Sequence, residues 1–210
     1  MDLWEIERGL FEEGFTSICG IDEAGRGPLA GPVFAAAVIL PFGVQIKDLN
    51  DSKKLSEHVR ERLYDEIIAK AQAFGVASAD HLEIDRLNIL NATFLAMRRA
   101  AGMLAVKPDV ALIDGNRDPA LSVCSKCVIG GDGVSASIAA ASILAKVSRD
   151  RYMLEIAAKY PQYGFEKHKG YGTRLHYEML REHGPSEIHR ATFLRNFNVV
   201  SSKLKNESNV

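Results

Sequence analysis

Four acidic residues follow predicted β-strands closely enough to form one site. Apolar segments end at the pair Asp22-Glu23, at Asp114 and, after two glycines, at Asp132. Turn formation or helix capping would explain any one aspartate after a strand. Three such strand ends carry more weight, because open α/β sheets collect ligand sites at their strand termini. We therefore expect the four carboxylates to gather at one edge of a sheet.

Carboxylates gathered in this way need positive charge nearby. Without a Lys or Arg partner they repel one another and tend to stay protonated, and a divalent cation removes that conflict. Oxygen ligands without a nearby His or Cys favour Mg²⁺ or Mn²⁺ over zinc. Two such ions, about 4 Å apart, can stabilise the attacking and leaving oxygens when a phosphodiester is cleaved. The residue types thus predict metal-dependent phosphodiester hydrolysis.

A glycine-rich turn directly after the first acids allows a second interpretation. Residues 25–30, Gly-Arg-Gly-Pro-Leu-Ala, match the pattern G-x-G-x-x-A of dinucleotide-dependent oxidoreductases. However, Asp22 and Glu23 would repel a pyrophosphate, and Pro28 and Pro32 would interrupt the helix whose N-terminus binds it. No second strand ends in an acid about 20 residues further on. A dinucleotide site is the minor alternative.

The same turn suits contact with a nucleic-acid backbone. Gly25 and Gly27 leave backbone N–H and C=O groups open to a sugar or phosphate, and Arg26 adds a planar fork of donors. Backbone contacts to a 2′-hydroxyl can distinguish RNA from DNA. A plain tight connection between two strands would use the same residues, so both interpretations stay open.

Two further loops carry residues suited to nucleic-acid binding. In residues 168–172, His-Lys-Gly-Tyr-Gly, Tyr171 could stack on a sugar or base and Lys169 could bind a phosphate. In residues 50–54, Asn-Asp-Ser-Lys-Lys, Lys53 offers a similar phosphate contact. An ordinary surface loop explains either segment equally well.

The bulk composition limits the class of protein. The 26 Lys and Arg residues nearly balance the 27 Asp and Glu residues, which argues against coating nucleic acid through bulk positive charge. No apolar run reaches the roughly 20 residues of a membrane span, and the acidic N-terminus is unlike a signal peptide. Three cysteines cannot all pair, which favours a reducing compartment. We expect a cytoplasmic monomer that is not bound to a membrane.

Cys124 and Cys127 have the C-x-x-C spacing of zinc and redox sites. No second pair of Cys or His residues completes a zinc site. The segment continues into Val128 and Ile129, so it is interpreted as part of a strand.

Alternating strands and helices must position the acids. Apolar patterning predicts strands at residues 16–21, 33–40, 74–79, 110–113 and 123–129. Helical spacing predicts helices at residues 2–14, 57–73, 88–105, 135–160 and 173–183. This order indicates an α/β fold with a sheet covered on both faces. We expect a single domain over residues 1–200 and a polar, disordered tail over residues 201–210.

Together these segments resemble ribonuclease HII, the type 2 ribonuclease H. Residues 20–32, Gly-Ile-Asp-Glu-Ala-Gly-Arg-Gly-Pro-Leu-Ala-Gly-Pro, are similar to the opening signature of that family. The likeness extends over about residues 18–197 and continues through the segments 50–56, 112–116, 131–132, 139–147 and 168–171. The ordered set of segments is far more specific than any one of them.

The resemblance implies an RNase H-like fold, with a mixed central β-sheet flanked by α-helices on both faces. It implies an endonuclease that hydrolyses the RNA strand of RNA–DNA hybrids. Such an enzyme also incises duplex DNA 5′ of single embedded ribonucleotides and leaves 3′-hydroxyl and 5′-phosphate ends. The catalytic and metal-binding residues would be Asp22, Glu23, Asp114 and Asp132, with Mg²⁺ or Mn²⁺ as cofactor.

The resemblance also assigns substrate contacts. The Gly25-Arg26-Gly27 turn would contact the 2′-hydroxyl, and Tyr171 would stack on the sugar beside the DNA–RNA junction. Ribonuclease HIII is expected to have a different residue in place of Arg26. We expect the long C-terminal extension of some family members to be absent or reduced, and we find no evident clamp-binding peptide in residues 199–210. A non-catalytic module that binds hybrids is a third interpretation, which four placed acids argue against.

Overall fold

The fold is built on one mixed β-sheet. A computed structural model of the protein describes residues 2–195 and residue 197. Within these residues the sheet has five strands, β1 (Ile18–Ala24), β2 (Val33–Ile39), β3 (Ala73–Ala79), β4 (Val110–Asp114) and β5 (Cys124–Val128). Their order is β3-β2-β1-β4-β5. β2 pairs antiparallel with β1 and β3, whereas β4 pairs parallel with β1 and β5. The predicted α/β fold and mixed sheet are confirmed.

Helices connect and cover the strands. In the described part of the chain they are α1 (Glu5–Glu12), α2 (Glu57–Lys70), α3 (His81–Leu87), α4 (Ile89–Gly102), α5 (Ala136–Lys159), α6 (Phe165–His168) and α7 (Arg174–His183). Hydroxyl side chains of Ser56, Ser135 and Thr173 accept backbone N–H groups at the starts of α2, α5 and α7. Each cap satisfies a donor that the first helical turn leaves free.

Both faces of the sheet are buried under helices. On one face, Ala96 and Met97 of α4 pack against Ile21 of β1 and its neighbours. On the opposite face, Leu63 of α2 and Ala140 of α5 pack against β2. The fold therefore has three layers, as the alternation of strands and helices predicts. None of the described helices is long and apolar enough to cross a membrane.

Helix α5 lies unusually close to the central strand. A Cβ atom built on Gly20 of β1 would lie only 2.1 Å from the backbone carbon of Ser137. Ala and Ser side chains in the first half of α5 allow this approach, because larger side chains would hold the helix further from the sheet.

Several element boundaries differ from the predictions. β1 does not stop at Ile21 but continues through the acids to Ala24, because Asp22 and Glu23 still pair with β2. Its pairing with β4 does end at Ile21, opposite Ile113. Helix α2 ends at Lys70 rather than near residue 73, where β3 already begins. The short helices α3 and α6 were not predicted.

β5 forms one edge of the sheet and carries exposed side chains. Cys124 and Cys127 lie on this strand, as predicted, but both are exposed, because β5 is an edge strand and is not buried like β4. Between them, Lys126 forms an ion pair with Glu13, at 3.0 Å. The predicted tail at residues 201–210 and the segment 199–210 considered for clamp binding lie outside the described residues.

Candidate active site

The sheet brings the four predicted acids together at the ends of neighbouring strands. Asp22 and Glu23 lie near the end of β1, and Asp114 is the last residue of the adjacent β4. Asp132 lies in a short 3₁₀ turn, residues 131–133, that follows β5. This turn is tied to β4 because the backbone N–H of Gly131 donates to Asp114 Oδ1, at 2.7 Å.

Adjacent positions on β1 send the two side chains of the acidic pair to opposite faces of the sheet. Asp22 is only 3% exposed, and its Oδ1 accepts the backbone N–H of Glu23, at 2.7 Å. Glu23 borders a cavity of about 350 Å³ that is also lined by Arg26, Asp114 and Arg117. Asp22 is thus buried at the strand end, whereas Glu23 and Asp114 border the open cavity.

Burial and mutual repulsion make the charged form of these acids unfavourable. Burial raises the pKa of Asp22 well above its usual range, and the charges of Glu23 and Asp114 raise it further. Burial also raises the pKa of Glu23, although Arg26 opposes the shift. The pKa of Asp114 is raised first by burial and then by the charge of Asp132, against its hydrogen bond from Gly131. A cation at this position would relieve the repulsion.

Lys53 brings an amine to the acids. Its Nζ lies 3.1 Å from Asp132 Oδ2. Burial lowers the pKa of Lys53, but the hydrogen bond to Asp132 and the charges of Asp132 and Asp22 outweigh it, so the net shift is upward. The loop at residues 50–54 therefore belongs to the site.

The donor atoms suit a hard divalent cation, since all four acids offer carboxylate oxygens. As the side chains are placed, no three His, Cys, Asp or Glu residues of the described chain converge closely enough to hold a metal ion. Asp132 is paired with Lys53, and Asp22 and Asp114 each accept a backbone N–H group. Side-chain rotation would be needed to bring the oxygens onto one ion.

The glycine turn follows the acidic pair directly. Gly25 has a φ of 97°, a backbone conformation that favours glycine. Arg26 lies at the surface, with Nη1 3.4 Å from Glu23 Oε1. The turn leads into the antiparallel strand β2 and not into a helix. The helix N-terminus that a dinucleotide site would use is therefore missing between residues 25 and 33, all of which the structure describes.

Tyr171 and Lys169 occupy different surroundings. The Tyr171 ring is exposed and lies beside the turn, with Cε1 3.8 Å from a Cβ built on Gly27. The amine of Lys169 donates instead to the backbone carbonyl of Glu166, at 2.5 Å. Tyr171 thus lies beside the glycine turn and Lys53 lies beside Asp132. The amine of Lys169 is instead hydrogen-bonded to α6.

Two buried arginines at this site were not singled out from the sequence. Arg149 and Arg190 are both 0% exposed and donate to backbone carbonyls around the glycine turn. Burial lowers the pKa of both guanidiniums, and for Arg190 the pKa falls to about 9. One sequence signal could have found Arg149, which lies at helical spacing after Ser142 and Ala145 on the buried side of α5.

Three buried histidines support the Tyr171 loop. His176 Nδ1 donates to the Tyr171 carbonyl, at 2.9 Å, and its Nε2 lies 3.0 Å from His189 Nε2. His189 Nδ1 accepts the backbone N–H of Ser186. His168 stacks on the His176 ring at 4.5 Å. This arrangement is satisfied by neutral rings, because a proton added to either His176 or His189 would face another N–H donor.

We expect acid to destabilise the folded protein through these histidines. Burial lowers the pKa of His176 and of His189 to about 4. The unfolded chain therefore binds more protons than the folded one as the pH falls from about 6.5 towards 4, and the unfolding free energy decreases. Urea unfolding of wild type and of His189→Gln across this pH range would measure the decrease in unfolding free energy. The acids with raised pKa values change the unfolding free energy in the opposite direction, but they do so in both proteins, so the difference between the two proteins isolates the histidines. A wild-type slope equal to that of the variant would contradict the expectation, and the exposed His58→Gln serves as control.

Comparisons with known proteins identify relatives of this chain. The family model described as ribonuclease HII matches residues 19–196. A curated relative, the ribonuclease HII of Caldicellulosiruptor bescii, is 56% identical over 193 residues, which cover 92% of this chain and 94% of that protein. The crystal structure of ribonuclease H2 from Pyrococcus horikoshii is 27% identical with a TM-score of 0.70, over 84% of this chain and 93% of that one. A ribonuclease HIII, Bst-RNase HIII in complex with Mn²⁺, shares the fold at 20% identity with a TM-score of 0.63, over 80% of this chain and 63% of that one.

Proposed function

Because the chain belongs to the ribonuclease HII family and is therefore a ribonuclease H (EC 3.1.26.4), we propose that it incises duplex DNA 5′ of single embedded ribonucleotides as well as the RNA strand of longer hybrids. The products would carry 3′-hydroxyl and 5′-phosphate ends. The observation that carries the proposal is that four acids from three elements lie at one end of the sheet, beside a surface turn suited to a sugar.

We propose that Asp22, Glu23, Asp114 and Asp132 hold Mg²⁺ or Mn²⁺. Their all-oxygen donor set and the raised pKa values of the first three support this assignment. The ribonuclease HIII that shares the fold was solved in complex with Mn²⁺. When bound, such ions stabilise negative charge on the attacking and leaving oxygens of the phosphodiester. The protein would contribute the carboxylate oxygens at adjacent strand ends, with Asp22 shielded from water, and the bound cation would favour their ionised form.

The proposed substrate contacts are the glycine turn, Tyr171, Lys53 and Lys169. The Gly25-Arg26-Gly27 turn would meet the ribose, and the exposed ring of Tyr171 would stack on the neighbouring sugar. The Lys53 amine, which lies close to Asp132, would bind a phosphate next to the scissile bond. Lys169 would bind phosphate only after leaving the Glu166 carbonyl, which makes it the weakest of these assignments.

The other interpretations of the sequence have less support. A dinucleotide site lacks its helix after the glycine turn. A non-catalytic hybrid-binding module would gain nothing from four acids, because negatively charged carboxylates repel the nucleic-acid backbone. We propose a single catalytic domain over residues 1–200 that acts as a monomer on nucleic acid in the cytoplasm. A molar mass near 23.0 kDa in light scattering would support the monomer.

Incision of one labelled duplex tests the proposed activity. We expect a strand with a single embedded ribonucleotide to be cut once, on its 5′ side, when Mg²⁺ is present. EDTA should abolish the product, because the carboxylates would then lack their cation. Extension of the upstream fragment by a polymerase would report its 3′-hydroxyl end. An all-DNA duplex of the same sequence is the control.

Cleavage on the 3′ side, cleavage of the all-DNA duplex, or full activity in EDTA would each contradict the proposal. Binding of the duplex without any product would favour the non-catalytic module. Titration with NAD in the absence of metal tests the dinucleotide site, for which no binding is expected.

A further inference from the structure

The glycine turn rests on two buried guanidiniums. Arg149 extends from α5, and Arg190 lies after α7. Each donates to three backbone carbonyls. A planar guanidinium has five N–H donors in a fixed fork, so it can orient several peptide groups at once. The two side chains therefore set the path of the backbone between β1 and β2.

Arg190 orients the peptide groups of the turn itself. Its Nη2 donates to the Gly25 carbonyl at 2.7 Å, and its Nη1 donates to the Arg26 carbonyl at 2.9 Å. In a trans peptide the C=O bond and the following N–H bond point in opposite directions. Because both carbonyls point inward to Arg190, the N–H groups of Arg26 and Gly27 point outward.

These two N–H groups are available for a ligand. Arg26 and Gly27 are exposed, and their N–H groups have no protein partner in the described part of the chain. Two adjacent outward N–H groups, on residues whose Cα atoms are about 3.8 Å apart, can donate together to one sugar or phosphate oxygen. The inward carbonyls are what fixes them in this orientation.

Arg149 links the turn to the Tyr171 loop. It donates to the carbonyls of Ala30 and Pro32 on one side, and to the Lys169 carbonyl, at 3.0 Å, on the other. Its guanidinium carbon lies 5.6 Å from the centre of the Tyr171 ring. A Cβ built on Gly25 would lie 2.0 Å from Arg149 Nε, so the turn packs directly on this side chain.

We propose that Arg149 and Arg190 are positioning residues for ribose selection. Arg190 presents the N–H groups of Arg26 and Gly27 outward, and Arg149 fixes the distance between the turn and the Tyr171 ring. The inference rests on the proposed function, because the turn and Tyr171 are the elements assigned to the sugar. Neither arginine touches the substrate, and each acts through the backbone that it holds.

Lysine substitutions separate geometry from charge. Arg149→Lys and Arg190→Lys keep the positive charge but cannot bind three carbonyls in one plane. We expect kcat/KM on the duplex with one embedded ribonucleotide to fall about 10- to 100-fold in each variant, as displacement of positioning groups does in other enzymes. Arg151→Lys is the matched control on the same helix, since Arg151 is paired with Glu61 and lies over the Tyr64 ring, away from the turn. It should stay within about twofold of wild type.

A double-mutant cycle with Tyr171→Ala distinguishes positioning from a general structural role. If Arg149 acts through Tyr171, Arg149→Lys should cost much less in the Tyr171→Ala background than in wild type. Within the described residues, the guanidinium of Arg190 donates only to the backbone that connects β1 and β2 and not to the Tyr171 loop. The loss caused by Arg190→Lys should therefore be as large in the Tyr171→Ala background as in wild type. Circular dichroism and the thermal midpoint establish that each variant is folded at the assay temperature.

The outcomes separate this inference from the proposed function. Wild-type protein that makes no incision would contradict the proposed function and this inference with it. Wild-type incision with both lysine variants within threefold of it would contradict the inference alone. Additive losses for Arg149→Lys and Tyr171→Ala would overturn the link between Arg149 and Tyr171. If one lysine variant does not fold, kcat/KM of the other decides the role of the turn.

Discussion

Replacing Asp22 by Asn is expected to lower the cleavage rate by about 10³-fold or more. Bound metal ions stabilise the charge of the transition state by several kcal/mol, and each tenfold change in rate corresponds to roughly 1.4 kcal/mol. Asn keeps the shape of the side chain and an oxygen that can accept the Glu23 N–H. It removes the central negative charge of the site. Steady-state incision of the embedded ribonucleotide measures the loss.

The same substitution should leave the protein folded and slightly more stable in the absence of metal. The pKa of Asp22 is raised in the folded state, so ionisation of Asp22 destabilises that state as the pH rises above the unfolded pKa. Asn at this position is always neutral. Added Mg²⁺ should stabilise wild type but not Asp22→Asn.

Asp65→Asn, at an exposed position of α2, is the matched control and should change neither rate nor stability. Turnover by Asp22→Asn close to that of wild type would remove Asp22 from the catalytic residues.

Gly20→Ala is expected to lower the unfolding free energy by about 3 kcal/mol, the upper part of the range for overpacked sites. The added methyl carbon would lie 2.1 Å from the backbone of α5, and three backbone atoms of Ser137 and Ile138 lie within 2.3 Å of it. Backbone cannot rotate away as a side chain can, so α5 must move off β1. Urea unfolding at neutral pH measures the change, and activity should fall as well because β1 carries Asp22.

Gly9→Ala provides the opposite case in the same chain. Gly9 lies in α1, and nothing lies within 4 Å of a Cβ built on it. Alanine favours the helix over glycine, so this variant should gain about 0.5–1 kcal/mol. Equal stabilities for Gly20→Ala and Gly9→Ala would contradict the close approach of α5.

The sequence was sufficient to predict the layered fold because its strongest patterns are local. The apolar segment of β2, the segment of β4 and the small residues of α5 each predict an element by themselves. The acids could be grouped for the same reason, since each follows a recognisable strand. The mixed order of the strands depends on pairing between distant segments, and it was available only through resemblance.

The remaining features depend on tertiary contacts that leave little trace in the sequence. The sequence predicted that β1 ends at Ile21, because polar residues follow. Pairing with the neighbouring strand β2 extends β1 through Asp22 to Ala24. Helix α3 does have a local signal that was missed, the capping box formed by Asp80 and Glu83. Arg149 and Arg190 are ordinary surface residues by type, and only the carbonyls converging on them explain their burial.

The edge strand β5 has a consequence for the behaviour of the protein in concentrated solution. An unpaired strand edge is a template on which a second molecule can add a strand, which is a common start of aggregation. Lys126 places a charge at the middle of this edge, and its ion pair with Glu13 holds the amine there. A second chain aligned along β5 would bring its own lysine against this charge. We therefore expect Lys126 to oppose self-association along this edge.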